Sequence, residues 1–187
     1  YEMLRSLVGS EMCIRDRLEY IYSRGHRKIA YIHGAMSAVT SGRLSSFYRT
    51  AERLGLEIPD EYIREAAYRD TTTTYRVTNE LLDLPNPPTC IIYPDDFASF
   101  GGINAIRQRG LQIPEDISVA GYDGIQAARQ LEPRLTTVQQ DTEQIGCLAA
   151  RELISLIERP KTTIIEQVIV PGKVAEGKSV ARIPTDN

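Results

Sequence analysis

Short β-branched runs alternate with longer amphipathic segments from residue 17 onward, a pattern typical of successive β-α-β units. The runs that predict strands are residues 28–33, 62–67, 89–93, 117–121 and 136–140. Amphipathic segments fill the gaps between these runs and predict helices. Because strands and helices alternate, the pattern predicts an α/β fold with a parallel sheet flanked by helices.

Three of the predicted helices have informative sequences. The first spans 42–54 and is followed by Gly55, with apolar residues at helical spacing: Leu44, Phe47, Tyr48, Ala51 and Leu54. The second runs to about Leu84, and the threonines 71–74 are expected to cap it. The third follows Asp96 and has a small-residue face that permits close approach to a sheet: Ala98, Gly101, Gly102 and Ala105.

The composition narrows the possible functions. The chain has 187 residues, 42% of them hydrophobic and 25% charged, which is typical of a soluble globular chain with a sizeable core. Its net charge of -3, without a stripe of lysine and arginine, argues against direct contact with nucleic-acid phosphates. Three widely spaced cysteines predict neither a disulfide framework nor a metal site, and they suit a reducing cytosol: Cys13, Cys90 and Cys147.

The first residues are expected to be foreign to the rest of the chain. The stretch EMCIRD resembles the conceptual translation of a transposon-end adapter used to build sequencing libraries. We therefore predict that residues 1–17 are a non-native, adapter-derived segment and that the gene is truncated upstream. The alternative is that this stretch is the start of a genuine helix.

The stretch GKVAEGKS, residues 172–179, matches the phosphate-loop pattern GxxxxGK[ST] letter for letter. A phosphate loop needs a following helix whose amino terminus faces the anion. Only VARIPTDN follows here, so the context argues against nucleotide binding.

Catalytic patterns are scarce. The sequence has no GxSxG elbow and no HExxH motif, and its only histidines are His26 and His33. Cys90 opens an apolar strand and is expected to be a buried hydrophobic residue. Of the neighbouring Asp95 and Asp96, we expect Asp96 to serve as a helix cap and dipole partner, whereas Asp95 stays open as a functional residue. We therefore expect no enzyme activity, no cofactor and no metal site.

A set of polar residues follows the ends of the predicted strands: Arg43, Tyr68, Arg69, Asp95, Asp123 and Gln140. In open α/β sheets, ligands bind outside the carboxyl ends of the strands, so we expect these residues to form an effector site. Arg43 is expected in the first turn of a helix, where a cation opposes the helix dipole. A bound anion or polar ligand would explain it, and a solvated surface arginine is the alternative.

Four stretches resemble the effector-binding core of LacI/GalR-type transcriptional regulators: RGHRKIAYIHG (24–34), SGRLSSF (41–47), PTCIIYPDDFASFGGINAIRQRGLQIPEDISVAGYD (88–123) and PRLTTVQQDTEQIGCLAARELI (133–154). These stretches occur in the family order, and the resemblance as a whole spans nearly everything from residue 18 to residue 181. The resemblance implies that Arg43, Asp95, Asp123 and Gln140 contact the effector. Where the family often has a stacking aromatic, this chain has Arg69, with Tyr68 beside it. This departure argues against stacking on the apolar face of a sugar. Two arginines and two aspartates suit a polar ligand, and we expect the effector to be a sugar or related polar metabolite.

The resemblance also implies a domain organisation. The chain is expected to hold one lobe of a periplasmic-binding-protein-like bilobed clamp, formed by residues 18–139 and 161–181. Residues 140–160 would be a helix that crosses to a missing lobe, and 182–187 a tail. A helix-turn-helix headpiece upstream would bind operator DNA in the cytoplasm. Homodimers are expected through apolar residues of the helix after Asp96: Phe97, Phe100 and Ile103.

Two other functions stay open from the sequence. A periplasmic or cell-surface sugar-binding protein of a transport system would have the same clamp, and a secretory signal upstream would distinguish it from a regulator. A flavodoxin-like enzyme is less favoured, because no nucleophile and base are paired in the sequence.

Overall fold

The computed structural model describes residues 10–160 and 168–184 of the chain. The helices are α1 (Ser10–Ser23), α2 (Ala38–Arg53), α3 (Thr71–Leu82), α4 (Asp96–Gln108), α5 (Gln126–Arg129) and α6 (Thr142–Glu158). The strands are β1 (Ile29–His33), β2 (Ile63–Glu65), β3 (Cys90–Ile92), β4 (Ser118–Ala120), β5 (Thr137–Gln139) and β6 (Lys173–Ala175). Every strand that the sequence predicts is present, and each is somewhat shorter than its apolar run.

The main sheet has four parallel strands in the order β2-β1-β3-β4. Strand β5 pairs antiparallel with β6 in a two-stranded sheet. Two isolated parallel bridges, Ala120 to Thr136 and Asp123 to Gln139, attach β5 to the β4 edge of the main sheet. The α/β class with a parallel sheet flanked by helices is thus confirmed.

Helices cover the sheet on both faces. Successive strand residues point to opposite sides, so each face of the sheet has its own set of apolar residues to bury. On one face Ala30, Ile32 and Ile91 pack in a core with residues of α3 and α4. On the other face Ile29 and Tyr31 pack in a core with residues of α1 and α2. All five residues of β1 are buried, as expected for a central strand covered on both sides.

The small-residue face of α4 packs closely against both helix α3 and the end of strand β3. A side chain at position 101 would bring its Cβ to 1.9 Å from the Thr71 carbonyl oxygen, so Gly101 lets α3 approach closely. A Cβ at position 102 would lie 1.9 Å from the Tyr93 hydroxyl, so Gly102 accommodates the end of strand β3. The predicted close approach to the sheet is therefore present, and a close approach to α3 is added to it.

Two predicted helix starts are wrong. Helix α2 begins at Ala38 rather than at residue 42, and the Ser37 side chain accepts a hydrogen bond from the Thr40 amide as its cap. Arg43 consequently lies in the second turn, where the helix dipole no longer opposes a cation strongly. Helix α3 is capped by Asp70 rather than by a threonine, because Asp70 accepts hydrogen bonds from the Thr72 and Thr73 amides.

Helix α1 crosses the predicted boundary at residue 17. Cys13, Ile14 and Arg17 are buried on the same helix as Leu18 and Ile21, which belong to the α1/α2 core. Residues 10–17 are therefore folded as part of the domain, as the alternative interpretation expects. Their adapter origin stays a prediction, and residues 1–9 lie outside the described part of the chain.

Helix α6 lies within the predicted 140–160 and is two residues shorter at each end. Asp141 caps it by accepting a hydrogen bond from the Gln144 amide. No residue of α6 is buried, and Leu153, Ile154 and Ile157 are 57%, 54% and 70% exposed. None of the residues that form an apolar stripe at helical spacing on α6 is buried: Ile145, Leu148, Ala149, Leu153, Leu156 and Ile157. Residues 161–167, which follow the helix in the predicted second segment of the lobe, lie outside the described residues.

Candidate effector-binding site

The six predicted site residues lie at the carboxyl edge of the sheet. Tyr68 and Arg69 follow the same strand, and each of the other four follows a different one. Arg43 follows β1 on α2, and the other five follow β2 to β5: Tyr68, Arg69, Asp95, Asp123 and Gln140. Direct contacts join them into three pairs: Arg43 with Tyr68, Arg69 with Asp95, and Asp123 with Gln140. The parallel topology brings the strand ends together at this edge, as the sequence predicts.

Arg43 is nearly buried, with 9% of its surface exposed, and its guanidinium lies among aromatic rings. It donates a hydrogen bond of 3.3 Å to the Tyr68 hydroxyl and lies 4.3 Å from the centroid of the Tyr122 ring. The Tyr68 hydroxyl is also 3.1 Å from the Thr40 hydroxyl. The solvated-arginine alternative is therefore wrong, because a buried cation requires fixed partners rather than bulk water.

The Tyr68 ring packs on Gly34, immediately after β1. A Cβ at position 34 would lie 2.3 Å from Cζ of Tyr68, so any side chain there would displace the ring. Tyr68 is 39% exposed, which leaves part of its surface free at the edge of the site. Gly34 and Thr40 are site residues that the sequence analysis missed.

Asp95, and not Asp96, is the cap of α4, which reverses the expected roles of the two carboxylates. Its Oδ1 accepts the Ala98 amide at 2.7 Å, and its Oδ2 accepts the Arg69 amide at 2.8 Å. Arg69 has a φ of 62°, in the left-handed region, and the second hydrogen bond holds its backbone there. The Arg69 guanidinium lies 5.1 Å from the centroid of the Phe97 ring and is exposed.

Asp123 lies in a strained loop after β4. Its φ of 110° is unusual for a residue other than glycine, and Gly124 beyond it has a φ of 74°. The Asp123 carboxylate accepts a hydrogen bond of 2.6 Å from the Gln140 side-chain amide. Burial and the nearby Asp95 raise the pKa of Asp123, whereas the Gln140 hydrogen bond and the Arg43 and Arg17 guanidiniums oppose the rise.

Arg17 and Tyr122 form the floor beneath this site, and the sequence analysis missed both. Arg17 is 1% exposed and donates to the carbonyls of Tyr93 and Gly121 at 3.1 and 2.6 Å. Among the described residues, three buried polar atoms have no hydrogen-bond partner: Nε of Arg17, Nε of Arg43 and the Tyr122 hydroxyl. Tyr122 could have been found from its place beside Asp123, whereas nothing in the local sequence marks Arg17.

The phosphate-loop match has an internal structural role. Ser179 is buried, accepts a hydrogen bond from the Thr136 amide at 2.8 Å and donates one to the Val119 carbonyl at 2.7 Å. The Lys178 amide donates to the Arg134 carbonyl at 2.7 Å. These bonds attach the segment to β4 and β5, which explains the motif without a nucleotide.

Within residues 10–160 and 168–184, no group of three or more histidine, cysteine or carboxylate side chains is arranged to hold a metal ion. Over the same residues, no helix is both long and apolar enough to span a bilayer.

The predicted interface residues of α4 differ in exposure. Phe97 is 40% exposed, and its ring centroid lies 5.6 Å from that of Phe100, which is half-buried. Ile103 is only 6% exposed and belongs to the core on the α3/α4 face of the sheet. Its predicted exposure is wrong, because six residues at about 100° each place Ile103 about 120° around α4 from Phe97, on the side that packs in the core.

Comparisons with known proteins identify the family to which this fold belongs. The family model of the periplasmic binding protein-like domain matches residues 18–180. The HTH-type transcriptional repressor ExuR of Bacillus subtilis strain 168 is 34% identical over 172 residues, which cover 91% of this chain and 51% of that protein. The chain thus spans about half the length of the curated relatives it matches.

Solved structures share the fold. A transcriptional regulator LacI from Bacillus cereus subsp. cytotoxis superposes with a TM-score of 0.89 at 26% identity, covering 95% of this chain and 62% of that one. A complex of the transcriptional regulator CelR with cellobiose superposes with a TM-score of 0.84 at 25% identity, covering 92% and 52%. This chain therefore belongs to the periplasmic-binding-protein-like domain family, and its relatives are transcriptional regulators of the LacI type.

Proposed function

We propose that this chain is the effector-sensing part of a DNA-binding transcriptional regulator and that it binds a small polar molecule, sugar-like in chemistry, at the carboxyl edge of its sheet. The observation that carries the proposal is the convergence of Arg43, Asp123 and Gln140 at one edge. The repressor ExuR, which is 34% identical to this chain over 91% of the chain's residues, supports a regulator over a transport protein. Operator DNA would be bound by a segment upstream of the chain described here.

The donors and acceptors of the site suit a ligand with several hydroxyl groups. Asp123 accepts hydrogen bonds, and Arg43 donates them from a guanidinium whose Nε is buried and unpartnered. A hydroxyl group can do both, and hydrogen bonds to charged groups are about twice as strong as those between neutral groups. The regulator CelR, a structural relative, binds cellobiose. Binding, rather than catalysis, is the role that this arrangement supports.

The experiment is a calorimetric screen of this chain, and of a longer protein that carries it, against neutral sugars, sugar acids and amino sugars. Once a ligand is found, Asp123→Asn and Arg43→Ala should each weaken its binding by about 5- to 150-fold, because losing a buried polar contact costs roughly 1 to 3 kcal/mol. In the longer protein both variants should lose the effector response but keep their affinity for operator DNA. Unchanged ligand affinity in both variants would refute these assignments.

A homodimer through α4 is also proposed, with Phe97 as its exposed centre and Phe100 beside it. Exposed apolar patches commonly mark interfaces between subunits. In a longer protein, Phe97→Glu should shift the light-scattering mass from dimer to monomer, whereas Tyr48→Glu, at an exposed aromatic on α2, should not. If both variants stay dimeric, the interface lies elsewhere.

A further inference from the structure

Asp96 connects three segments that are far apart in the chain. It is fully buried, its Oδ2 accepts the Ile125 amide at 2.9 Å, and its Oδ1 accepts the Thr137 hydroxyl at 2.6 Å. Its own amide donates to the Tyr122 carbonyl at 2.7 Å. The start of α4, the loop 121–125 and strand β5 therefore meet at one carboxylate.

The glycine before this loop is shaped to admit that carboxylate. A Cβ at position 121 would lie 2.1 Å from Asp96 Oδ1 and 2.8 Å from Cδ2 of Leu135. Real Cβ atoms essentially never come this close to other atoms, so a side chain at Gly121 would push Asp96 out of its place. Gly121 and Asp96 are thus fitted to each other.

The strained residue Asp123 lies between two anchored points. On one side its amide donates to the Val138 carbonyl at 2.9 Å, and its carbonyl accepts the Gln140 amide at 3.2 Å. On the other side, two residues further on, Asp96 holds the Ile125 amide. A positive φ at a residue other than glycine persists only when its surroundings fix it from more than one direction.

We infer that Asp96 is a positioning residue, which holds loop 121–125 against β5 and thereby sets where the Asp123 carboxylate lies. This inference deepens the proposed function, since it rests on Asp123 as an effector contact. The loop can nevertheless be observed with no effector present. The charged groups that act on Asp96 are Arg17 from α1 and Asp123 from the loop itself, and β5 contributes the uncharged Thr137 hydroxyl.

The test is backbone NMR and amide hydrogen exchange on the 187-residue chain, with two variants. Asp96→Ala removes both acceptor oxygens, so neither the Ile125 amide nor the Thr137 hydroxyl can bond to this position. We expect the Asp123, Gly124 and Ile125 amide signals to shift. We also expect the Ile125 amide to exchange roughly tenfold faster, measured relative to the Tyr31 amide in β1.

Thr137→Val removes a single donor to Asp96, and its matched control is Thr136→Val at the adjacent residue, which is also buried. The Thr136 hydroxyl accepts the Gly177 amide at 3.1 Å instead of contacting Asp96. Of these two threonine variants, only Thr137→Val should shift the signals of Asp123 to Ile125, and this comparison stands even if Asp96→Ala fails to fold.

The inference is overturned if a folded Asp96→Ala variant keeps wild-type signals and exchange in the loop. It is equally overturned if Thr137→Val shifts those signals no more than Thr136→Val does. Failure of the proposed effector function would be distinct, because it would appear as a correctly held loop in a chain to which no sugar binds.

Discussion

The Asp123 carboxylate accepts a hydrogen bond of 2.6 Å from the side-chain amide of Gln140. Gln140 directly follows β5 and precedes the Asp141 cap of helix α6. The bond thus connects the strained loop after β4 to the start of the uncovered helix. A ligand that engages Asp123 would act on a residue already joined to that helix.

The first prediction concerns the charge of Asp123. The Gln140 hydrogen bond lowers the pKa of Asp123 against the opposing effect of burial, because a hydrogen bond to the ionised form favours that form. Gln140→Met should therefore raise the pKa of Asp123, as measured by carboxyl ¹³C NMR. The exposed neighbour Gln139 supplies the control, and Gln139→Met should leave that pKa unchanged. Equal pKa shifts in both variants would show that the hydrogen bond from Gln140 does not lower the pKa of Asp123.

The second prediction concerns the buried cation Arg17. Burial lowers the pKa of its guanidinium, and among the described residues its Nε has no hydrogen-bond partner. A buried polar group without a partner costs roughly 1 to 3 kcal/mol. We expect Arg17→Met, which keeps much of the volume, to raise the free energy of unfolding by about 1 to 3 kcal/mol in urea melts.

Arg15 on the same helix is the control for this change. Its guanidinium is paired with Asp16 at 2.8 Å and the side chain is 46% exposed, so Arg15→Met should change stability by less than about 0.5 kcal/mol. A destabilised Arg17→Met variant would mean that the carbonyls of Tyr93 and Gly121 hold the guanidinium with a net gain.

The third prediction is a pH dependence of stability that comes from Asp96. Burial raises its pKa from 3.8 to about 6, and the hydrogen bonds from Thr137 and Ile125 limit the rise. An acid with a raised folded-state pKa binds its proton more tightly when folded. Its ionised form therefore destabilises the fold above about pH 6, and that penalty is fully relieved below the unfolded value of 3.8.

Relative to Asp96→Asn, the wild type should thus gain stability on acidification from about pH 7 to about pH 4, by on the order of 3 kcal/mol at most. Asp83 provides a control of opposite sign, because the Arg109 side chain lowers the pKa of that carboxyl. Relative to Asp83→Asn, the wild type should lose stability over the same range. Denaturant melts at a series of pH values measure both, and a wild type that loses stability relative to Asp96→Asn would contradict the prediction.

The position of the site could be predicted from the sequence because it depends on topology. Once the strands are recognised as parallel, the residues that follow them must meet at one edge, and Arg43, Asp95 and Asp123 do. The sequence could not divide the roles of Asp95 and Asp96. A helix that starts one residue earlier or later exchanges the cap and the first-turn residue, and local propensity does not resolve a shift of one residue.

Buried contacts between distant segments were the other unpredictable part. Arg17 meets carbonyls that lie 76 and 104 positions away, and Asp96 meets Thr137 41 positions away. No local pattern encodes such distances. Gly121 and Gly34 were visible as glycines, but the atoms that require them, in Asp96 and Tyr68, belong to other segments. The start of α2 was missed because residues 38–41 have no strong apolar periodicity.

The last prediction concerns the uncovered stripe of α6. Helix α6 has no buried residue, and Leu153 is 57% exposed. Replacing Leu148, Leu153 and Leu156 with glutamate should raise the solubility of this chain and change its stability by only about 0.5 kcal/mol per site, as is usual for surface positions. In a longer protein that supplies the other lobe, the same changes should be strongly destabilising, since burying each such side chain contributes about 1.5 to 3 kcal/mol. Leu81→Glu, in the core and fully buried, should damage both proteins and serves as the control. Matched expression and thermal-melt measurements on both proteins decide the matter, and equal damage to both from the α6 changes would show that the helix packs within this lobe.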